Sequence, residues 1–139
     1  MDRSNQSEVL WSAQSLMRSL TSMIDVAFSE VRHRCVDRES GRLNAALLDE
    51  NQQVSYELAF VVAELAATSA LVSKAEFGGE LETLVALAQC SCALNAAQSR
   101  LLPIADECGL DRDELCGFFN QQSLVALQTK FGSSKALAR

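Results

Sequence analysis

The chain has 139 residues, a length that suits a single domain with a hydrophobic core of its own. Its 48% hydrophobic and 22% charged residues are typical of a globular protein, and its one proline and six glycines predict few, long elements. The net charge of −6 argues against binding to nucleic acids and to anionic membrane surfaces, because both need clustered lysine and arginine. We therefore expect a soluble acidic protein.

The first predicted helix covers about residues 6–36. Its apolar residues recur at intervals of three and four, as on one face of a helix, and they are Val9, Ala13, Leu16, Leu20, Met23, Ala27 and Val31. Ser4 or Asn5 is the predicted N-cap, with Glu8 in a capping-box position after Asn5. The cations at 32–34 fit the negative end of the helix dipole.

The second predicted helix covers about residues 43–73 and has two adjacent apolar stripes. One stripe consists of Leu47, Asn51, Val54, Leu58, Val61, Leu65 and Val72, and the other of Tyr56, Phe60, Ala63, Ala67 and Leu71. Two stripes predict contacts on more than one side. We therefore expect one uninterrupted helix, most of whose circumference is shielded from solvent by neighbouring helices. This helix is the centre of the predicted architecture, and its two apolar stripes motivate the association hypothesis below.

The segment Ser55–Val72 is rich in alanine and nearly free of charge, so it raises the question of a membrane span. Its longest strongly apolar run, Leu58–Ala63, ends at Glu64, whereas a spanning helix needs about 20 apolar residues. Glu50, Glu57 and Glu64 recur every seven residues, and we interpret them as a solvated edge. The polar N-terminus lacks the apolar core of a signal peptide, so we expect a cytoplasmic protein.

The third predicted helix covers about residues 80–108, after a turn at the paired glycines of "EFGGEL". Pro103 is expected to kink or end it, because proline cannot donate a backbone hydrogen bond. Its expected core positions are Leu81, Leu84, Val85, Ala88, Cys92 and Leu102.

The fourth predicted helix covers about residues 112–130 and has the clearest start signal of the chain. Asp111 is its predicted N-cap, with Glu114 three residues later, and Leu110 and Leu115 fit a hydrophobic staple. Its expected buried residues are Leu115, Phe118, Phe119, Ala126 and Leu127. Gly132 is expected to close it, and the tail 133–139 to fray.

These patterns predict an all-α protein. Short connections between four helices favour a mainly up-down antiparallel four-helix bundle with a long central second helix, as a single domain over residues 1–139. No segment has the alternating pattern of a strand.

Metal-ligating and nucleophilic residues form no complete motif in the sequence. Glu30 and His33 form one ExxH pair, whereas di-iron bundles need two such pairs and two further glutamates. The five cysteines contain no CxxC pair and are expected to be mostly buried thiols; they are Cys35, Cys90, Cys92, Cys108 and Cys116. We therefore predict no catalytic residue and no metal site, and the sequence identifies no cofactor-binding residue.

The segment Leu47–Leu102 resembles an N-terminal helical region of some bacterial acyl-CoA dehydrogenase-like flavoproteins. The matching stretches are "LDENQ" at 48–52, "YELA" at 56–59 and "GE" at 79–80, with Asn51 where that family has a histidine. The resemblance implies a detached accessory domain or a fragment of a larger flavoprotein. Flavin contacts and the catalytic carboxylate of such proteins belong to later parts, so Glu57 and Glu64 receive no catalytic role.

The leading hypothesis is a non-catalytic association module similar to that helical domain. It would present an apolar face of the second helix to its own copy, as a homo-oligomer, or to a flavoprotein subunit. One alternative is a bundle that binds acyl-CoA or flavin as part of an acyl-CoA dehydrogenase-type oxidoreductase, the only case in which FAD is expected. The other is a small acidic chaperone or adaptor that receives an amphipathic helix. Trp11 and the pair Phe118–Phe119 are candidate interface anchors, although we expect the pair to lie in the core.

Overall fold

The structure, a computed structural model, describes residues 3–132 of the chain. This part contains six α-helices: α1 (Arg3–Arg34), α2 (Ala45–Glu50), α3 (Gln52–Ala75), α4 (Glu80–Leu101), α5 (Arg112–Asn120) and α6 (Gln122–Phe131). A short 3-10 turn at Leu102–Ile104 follows α4. The described residues form no strand beyond an isolated bridge between Val36 and Leu43, which confirms the all-α prediction.

Three long helices, α1, α3 and α4, form the frame of the molecule and alternate in direction. The Gln14 side chain near the start of α1 donates a hydrogen bond to the Glu76 carboxylate just after α3, so these two helices are antiparallel. The Gln89 side chain of α4 donates to the Thr68 hydroxyl of α3 at 3.4 Å, and Arg100 near the end of α4 pairs with Glu57 near the start of α3. These two helices are therefore antiparallel as well. The short helix α6 packs against α4 and α1.

The core lies between these helices and consists mainly of leucine. The largest fully buried side chains include Leu20 and Ile24 of α1, Leu58 of α3, Leu87, Leu94 and Leu101 of α4, Leu115 of α5 and Leu124 of α6. Every helix of eight or more residues therefore contributes an apolar face. Burial of a leucine side chain contributes about 1.5–3 kcal/mol, so this shared core holds the helices together.

The prediction for α1 is largely confirmed. Its stripe is buried at Ala13, Leu16, Leu20, Ala27 and Val31 and half-buried at Val9 and Met23. Its last turn carries Arg32, His33 and Arg34, as predicted. The predicted cap at Ser4 or Asn5 is wrong, because both residues lie inside a helix that already includes Arg3.

The prediction of one unbroken helix over 43–73 is wrong, because Asn51 separates two helices, α2 and α3. Asn51 has ψ near 15°, and both its side-chain amide and its backbone N–H donate to the Leu47 carbonyl, at 2.8 Å and 3.2 Å. Asparagine competes in this way with regular helix bonds. The segment α2 is capped separately by Asn44, whose side chain accepts from the N–H groups of Ala46 and Leu47.

The expected shielding of this helix is also wrong. The first stripe is buried along α3, at Val54, Leu58, Val61, Leu65 and Val72. The second stripe is exposed at Tyr56, Phe60, Ala63 and Ala67 and half-buried at Leu71. Neighbouring helices therefore cover one side of α3 and leave the other bare.

The core prediction for α4 is mostly wrong. Leu81, Val85 and Cys92 are exposed, Leu84 and Leu102 are half-buried, and Ala88 alone of the predicted set is buried. The buried face instead contains Ala86, Leu87, Cys90, Ala93, Leu94, Ala97 and Leu101. Apolar residues surround α4, so the arrangement of its neighbours decides which of them are covered. Pro103 ends the helix, one of its two expected effects, since α4 stops at Leu101 and a 3-10 turn follows; the predicted extension to about residue 108 is wrong.

The predicted fourth helix is divided at Gln121, which has extended backbone angles between α5 and α6. The predicted cap at Asp111 is confirmed, because its carboxylate accepts hydrogen bonds from the N–H groups of Asp113 and Glu114. Leu115, Phe118, Phe119 and Leu127 are buried as predicted, whereas Ala126 is exposed. Gly132 ends α6, and the tail 133–139 lies outside the described residues.

Replacing Asp111 by alanine tests the contribution of this cap. We expect Asp111→Ala to lower the free energy of unfolding by about 1 kcal/mol, because two N–H groups lose their acceptor. Asp111→Asn keeps an acceptor oxygen and should cost much less. Urea denaturation measures both variants, and equal losses would show that the negative charge matters rather than the hydrogen bonds.

Candidate functional site

The side of α3 that faces away from the core is the candidate site. It consists of the exposed residues Tyr56, Ala59, Phe60, Ala63, Ala66, Ala67 and Ala70, which we call the outer face. These residues recur at intervals of three and four and therefore share one side of the helix. The face runs for about 20 Å from Tyr56 to Ala70. None of its residues carries a charge.

This exposure follows from the position of α3 at the edge of the molecule. Its opposite side packs against α1 and α4 through the buried first stripe, and Thr68 is buried in the same contact. The Thr68 hydroxyl donates to the Glu64 carbonyl at 2.7 Å, so burial does not leave it unsatisfied. Since only one side of α3 has neighbours, its alanines and aromatics remain in contact with solvent.

Two aromatic rings occupy the N-terminal end of the outer face. The ring centroids of Tyr56 and Phe60 are 4.7 Å apart with planes inclined at 53°, and the two residues are 57% and 42% exposed. The Arg100 guanidinium of α4 lies over the Phe60 ring, 4.4 Å from its centroid. The same guanidinium donates to a Glu57 carboxylate oxygen at 2.6 Å. These contacts fix the Phe60 ring and neutralise the nearest acidic side chain.

The contact between Glu57 and Arg100 corrects the interpretation of the three glutamates as a solvated edge. Glu50 is exposed, but Glu57 and Glu64 are half-buried beside α4. Sequence reasoning missed Arg100 because the pair joins two helices, and their register is not contained in the spacing within either helix. The combination of Glu57 with Phe60 one turn later was the available signal, since it offers a cation both a carboxylate and a ring.

The C-terminal half of the outer face consists of small side chains. Ala63, Ala66, Ala67 and Ala70 follow the aromatic pair, and Lys74 lies one turn beyond them. Small residues allow a second helix to approach closely. Further exposed apolar side chains occur after α3, at Phe77 of the turn and at Leu81 and Val85 of α4, at intervals of four.

The predicted candidates for chemistry lie apart from this face. Glu30 forms an ion pair with Arg34 at 3.2 Å, and His33 is exposed in the last turn of α1. Across the described residues, no three His, Cys, Asp or Glu side chains are arranged to hold a metal ion. Trp11 is exposed on α1, whereas Phe118 and Phe119 pack edge to face in the core, as predicted.

The cysteines divide by exposure, as predicted for a set of mostly buried thiols. Cys35, Cys90 and Cys108 are buried, Cys116 is half-buried and Cys92 is exposed. The Cys90 sulfur lies 3.5 Å from the Met17 sulfur in the core, and burial raises the pKa of the Cys90 thiol to about 12. Burial also raises the pKa of the Cys108 thiol. Because the thiolate is the nucleophile, burial disfavours the reactive form of these two thiols.

The sequence of the chain was compared with protein-family models and with curated proteins. No protein-family model matches it, and no curated protein matches its sequence. The resemblance to the helical domain of acyl-CoA dehydrogenase-like flavoproteins therefore remains a prediction.

By length and composition, α3 is apolar enough to cross a membrane, although our sequence criterion argued against a span. Burial inside the molecule accounts for only part of this apolar character, because 33% of its most apolar 18-residue window is buried. The helix therefore exposes more apolar surface than a core helix does. The question that follows is what covers this surface.

Thiol labelling tests the division of the cysteines. With N-ethylmaleimide at neutral pH, we expect Cys92 to react first and Cys35, Cys90 and Cys108 to react only after unfolding in urea. Mass spectrometry of the intact protein counts the attached labels. The Cys92→Ser variant should lack the label that attaches first to the wild-type protein. Labelling of Cys90 in the native protein as fast as that of Cys92 would contradict the packing of α4.

A double-mutant cycle tests the contact between Glu57 and Arg100. We expect Arg100→Gln and Glu57→Gln each to lower the free energy of unfolding by about 1 kcal/mol, because the pair is partly buried and Arg100 also covers Phe60. The double variant should lose less than the sum of the two, by about 0.5–1 kcal/mol. Strict additivity in urea denaturation would show that the two side chains do not interact.

Proposed function

We propose that the chain is a non-catalytic helical association module that pairs with a second copy of itself through the outer face of α3. The observation that carries this proposal is an exposed, uncharged helix face with two aromatic residues, one of them held in place by Arg100. Aromatic residues are enriched among those that dominate binding energies, and a fixed side chain loses little entropy on binding. Acidic side chains elsewhere keep the protein soluble.

A second copy suits this face better than a lipid bilayer does. The inner side of α3 packs against α1 and α4, and insertion would have to remove those contacts or carry both helices with it. Glu57 and Arg100 would also enter the hydrocarbon region, where charged groups are costly. Pairing of two outer faces instead leaves all of these interactions in place.

In the proposed architecture, α6 is the fourth helix of a mainly up-down bundle, after α1, α3 and α4. It packs against α4 and α1, as α3 does, but has 10 residues against 24 in α3. In this arrangement, no helix of the same copy packs against the outer face of α3. A second α3 supplies that partner.

The resemblance to the helical domain of acyl-CoA dehydrogenases suggests a different occupant of the same face, a flavoprotein subunit. We favour a second copy because the face is uncharged. Two identical faces can therefore meet without repulsion between like charges. In either case the module acts in the cytoplasm, and the chain itself performs no reaction.

The oligomeric state of the purified protein tests the proposal. A helix face about 20 Å long and about 10 Å wide covers on the order of 200 Å², less than the about 800 Å² per partner of a standard interface. We therefore expect a weak dimer, with a dissociation constant in the micromolar range. Sedimentation equilibrium should detect it. Ala63→Glu should produce a monomer, because it places a charge at the centre of the outer face.

The matched control is Ala126→Glu, an equivalent change at an exposed alanine on α6, which should leave the dimer intact. A wild-type protein that stays monomeric at about 1 mM would overturn the proposal. So would a monomer that binds phosphatidylcholine vesicles and loses that binding on Ala63→Glu, since the face would then meet lipid. Dimerisation unaffected by Ala63→Glu would place the interface elsewhere.

A further inference from the structure

The outer face has large side chains at one end and small side chains at the other. This difference in size determines which relative direction of two paired helices fits best. Tyr56 and Phe60 form the bulky end, and Ala66, Ala67 and Ala70 form the flat end. The centre is Ala63. From this asymmetry we infer that two copies pair antiparallel through a two-fold axis at Ala63, with the aromatic pair of each copy seated on the alanines of the other. This inference rests on the proposed function.

The register follows from the spacing around Ala63. An antiparallel alignment that sets Ala63 against Ala63 also sets Tyr56 level with Ala70 and Ala59 level with Ala67 of the other copy. It places Phe60 beside Ala67 of the other copy, because these two residues lie on the same flank of the helix. Each large residue of the outer face thereby meets a small one. A two-fold interface uses the same patch on both copies, so every such contact occurs twice. The face is self-complementary in size in this alignment.

A parallel alignment lacks this complementarity. It would set Tyr56 against Tyr56 and Phe60 against Phe60, and these rings would hold the helices apart at one end. The alanines at the other end would then face each other across a gap, which forfeits their contacts. Helices pack at separations of 8–10 Å according to the side chains between them, so one straight pair cannot suit both ends.

Charge also favours the antiparallel alignment. In a parallel pair, Lys74 of one copy would lie beside Lys74 of the other, which is repulsive. In the antiparallel register Lys74 lies opposite the uncharged Gln52. The two helix dipoles also oppose each other, which is the favourable orientation. Arg100 remains paired with Glu57 in its own copy and contributes no unpaired charge.

The contact of Arg100 with Phe60 prepares the bulky end for this docking. The guanidinium covers one side of the ring at 4.4 Å, while Phe60 as a whole remains 42% exposed. The exposed part of the ring is available to the alanines of the other copy. We expect Phe60→Ala to raise the dissociation constant of the dimer about tenfold, because the seated ring is lost on both sides of the axis.

Disulfide trapping tests the alignment. In a Cys92→Ser/Cys116→Ser background, Ala63→Cys should give a cross-linked dimer with diamide, which takes up two hydrogens as two thiols form one disulfide. Ala59→Cys and Ala67→Cys should each stay uncross-linked alone but form a cross-linked dimer when mixed. Bridged Cα atoms lie within about 7 Å, so the pattern reports the register.

The outcomes separate this inference from the proposed function. A protein that is dimeric by sedimentation, but in which Ala59→Cys and Ala67→Cys each cross-link to themselves, pairs in parallel and overturns the inference alone. A dimer that yields no cross-link at Ala63→Cys places the axis elsewhere and also overturns it. A background protein that is monomeric at all concentrations overturns the proposed function together with the inference.

Discussion

The packing of α3 on one side only is the constraint on which the rest of the structure depends. Its buried stripe from Val54 to Val72 fills the groove between α1 and α4 and joins the three long helices. Since the helix is apolar over most of its circumference, covering one side leaves a second apolar surface in solvent. The core and the candidate interface are therefore two sides of the same helix. A change to the inner stripe would alter both.

The inter-helix contacts of Arg100 connect these two sides. Arg100 projects from α4, pairs with Glu57 at the edge of the core and covers Phe60 at the edge of the outer face. This arrangement gives the aromatic end a defined position while the alanines provide a smooth surface. Stability and association thus share residues in this molecule, so Ala63→Glu, which lies away from the ion pair, is the variant that tests association without changing that pair.

The departures from the sequence predictions have a common origin. Asn51 and Gln121 divide two helices that periodicity alone predicts as continuous, because their backbone conformations interrupt patterns whose apolar spacing continues through them. On α4, the buried residues differ from the predicted ones because apolar side chains occur all round the helix. The mistaken expectation that α3 is shielded along its girth has the same cause. It is the exposed flank that now supports the proposed pairing.

The sequence by itself determined the all-α class, the apolar stripe of α1, the Asp111 cap, the interruption of the helix at Pro103 and the burial of the pair Phe118–Phe119. These features depend on local spacing and on the chemistry of single residues, which are present in the chain before it folds. Only the tertiary structure decided which side of α3 and α4 is covered and that Arg100 meets Glu57 and Phe60. Those features depend on the register and arrangement of separate helices, because an apolar residue is buried only where another helix lies against it.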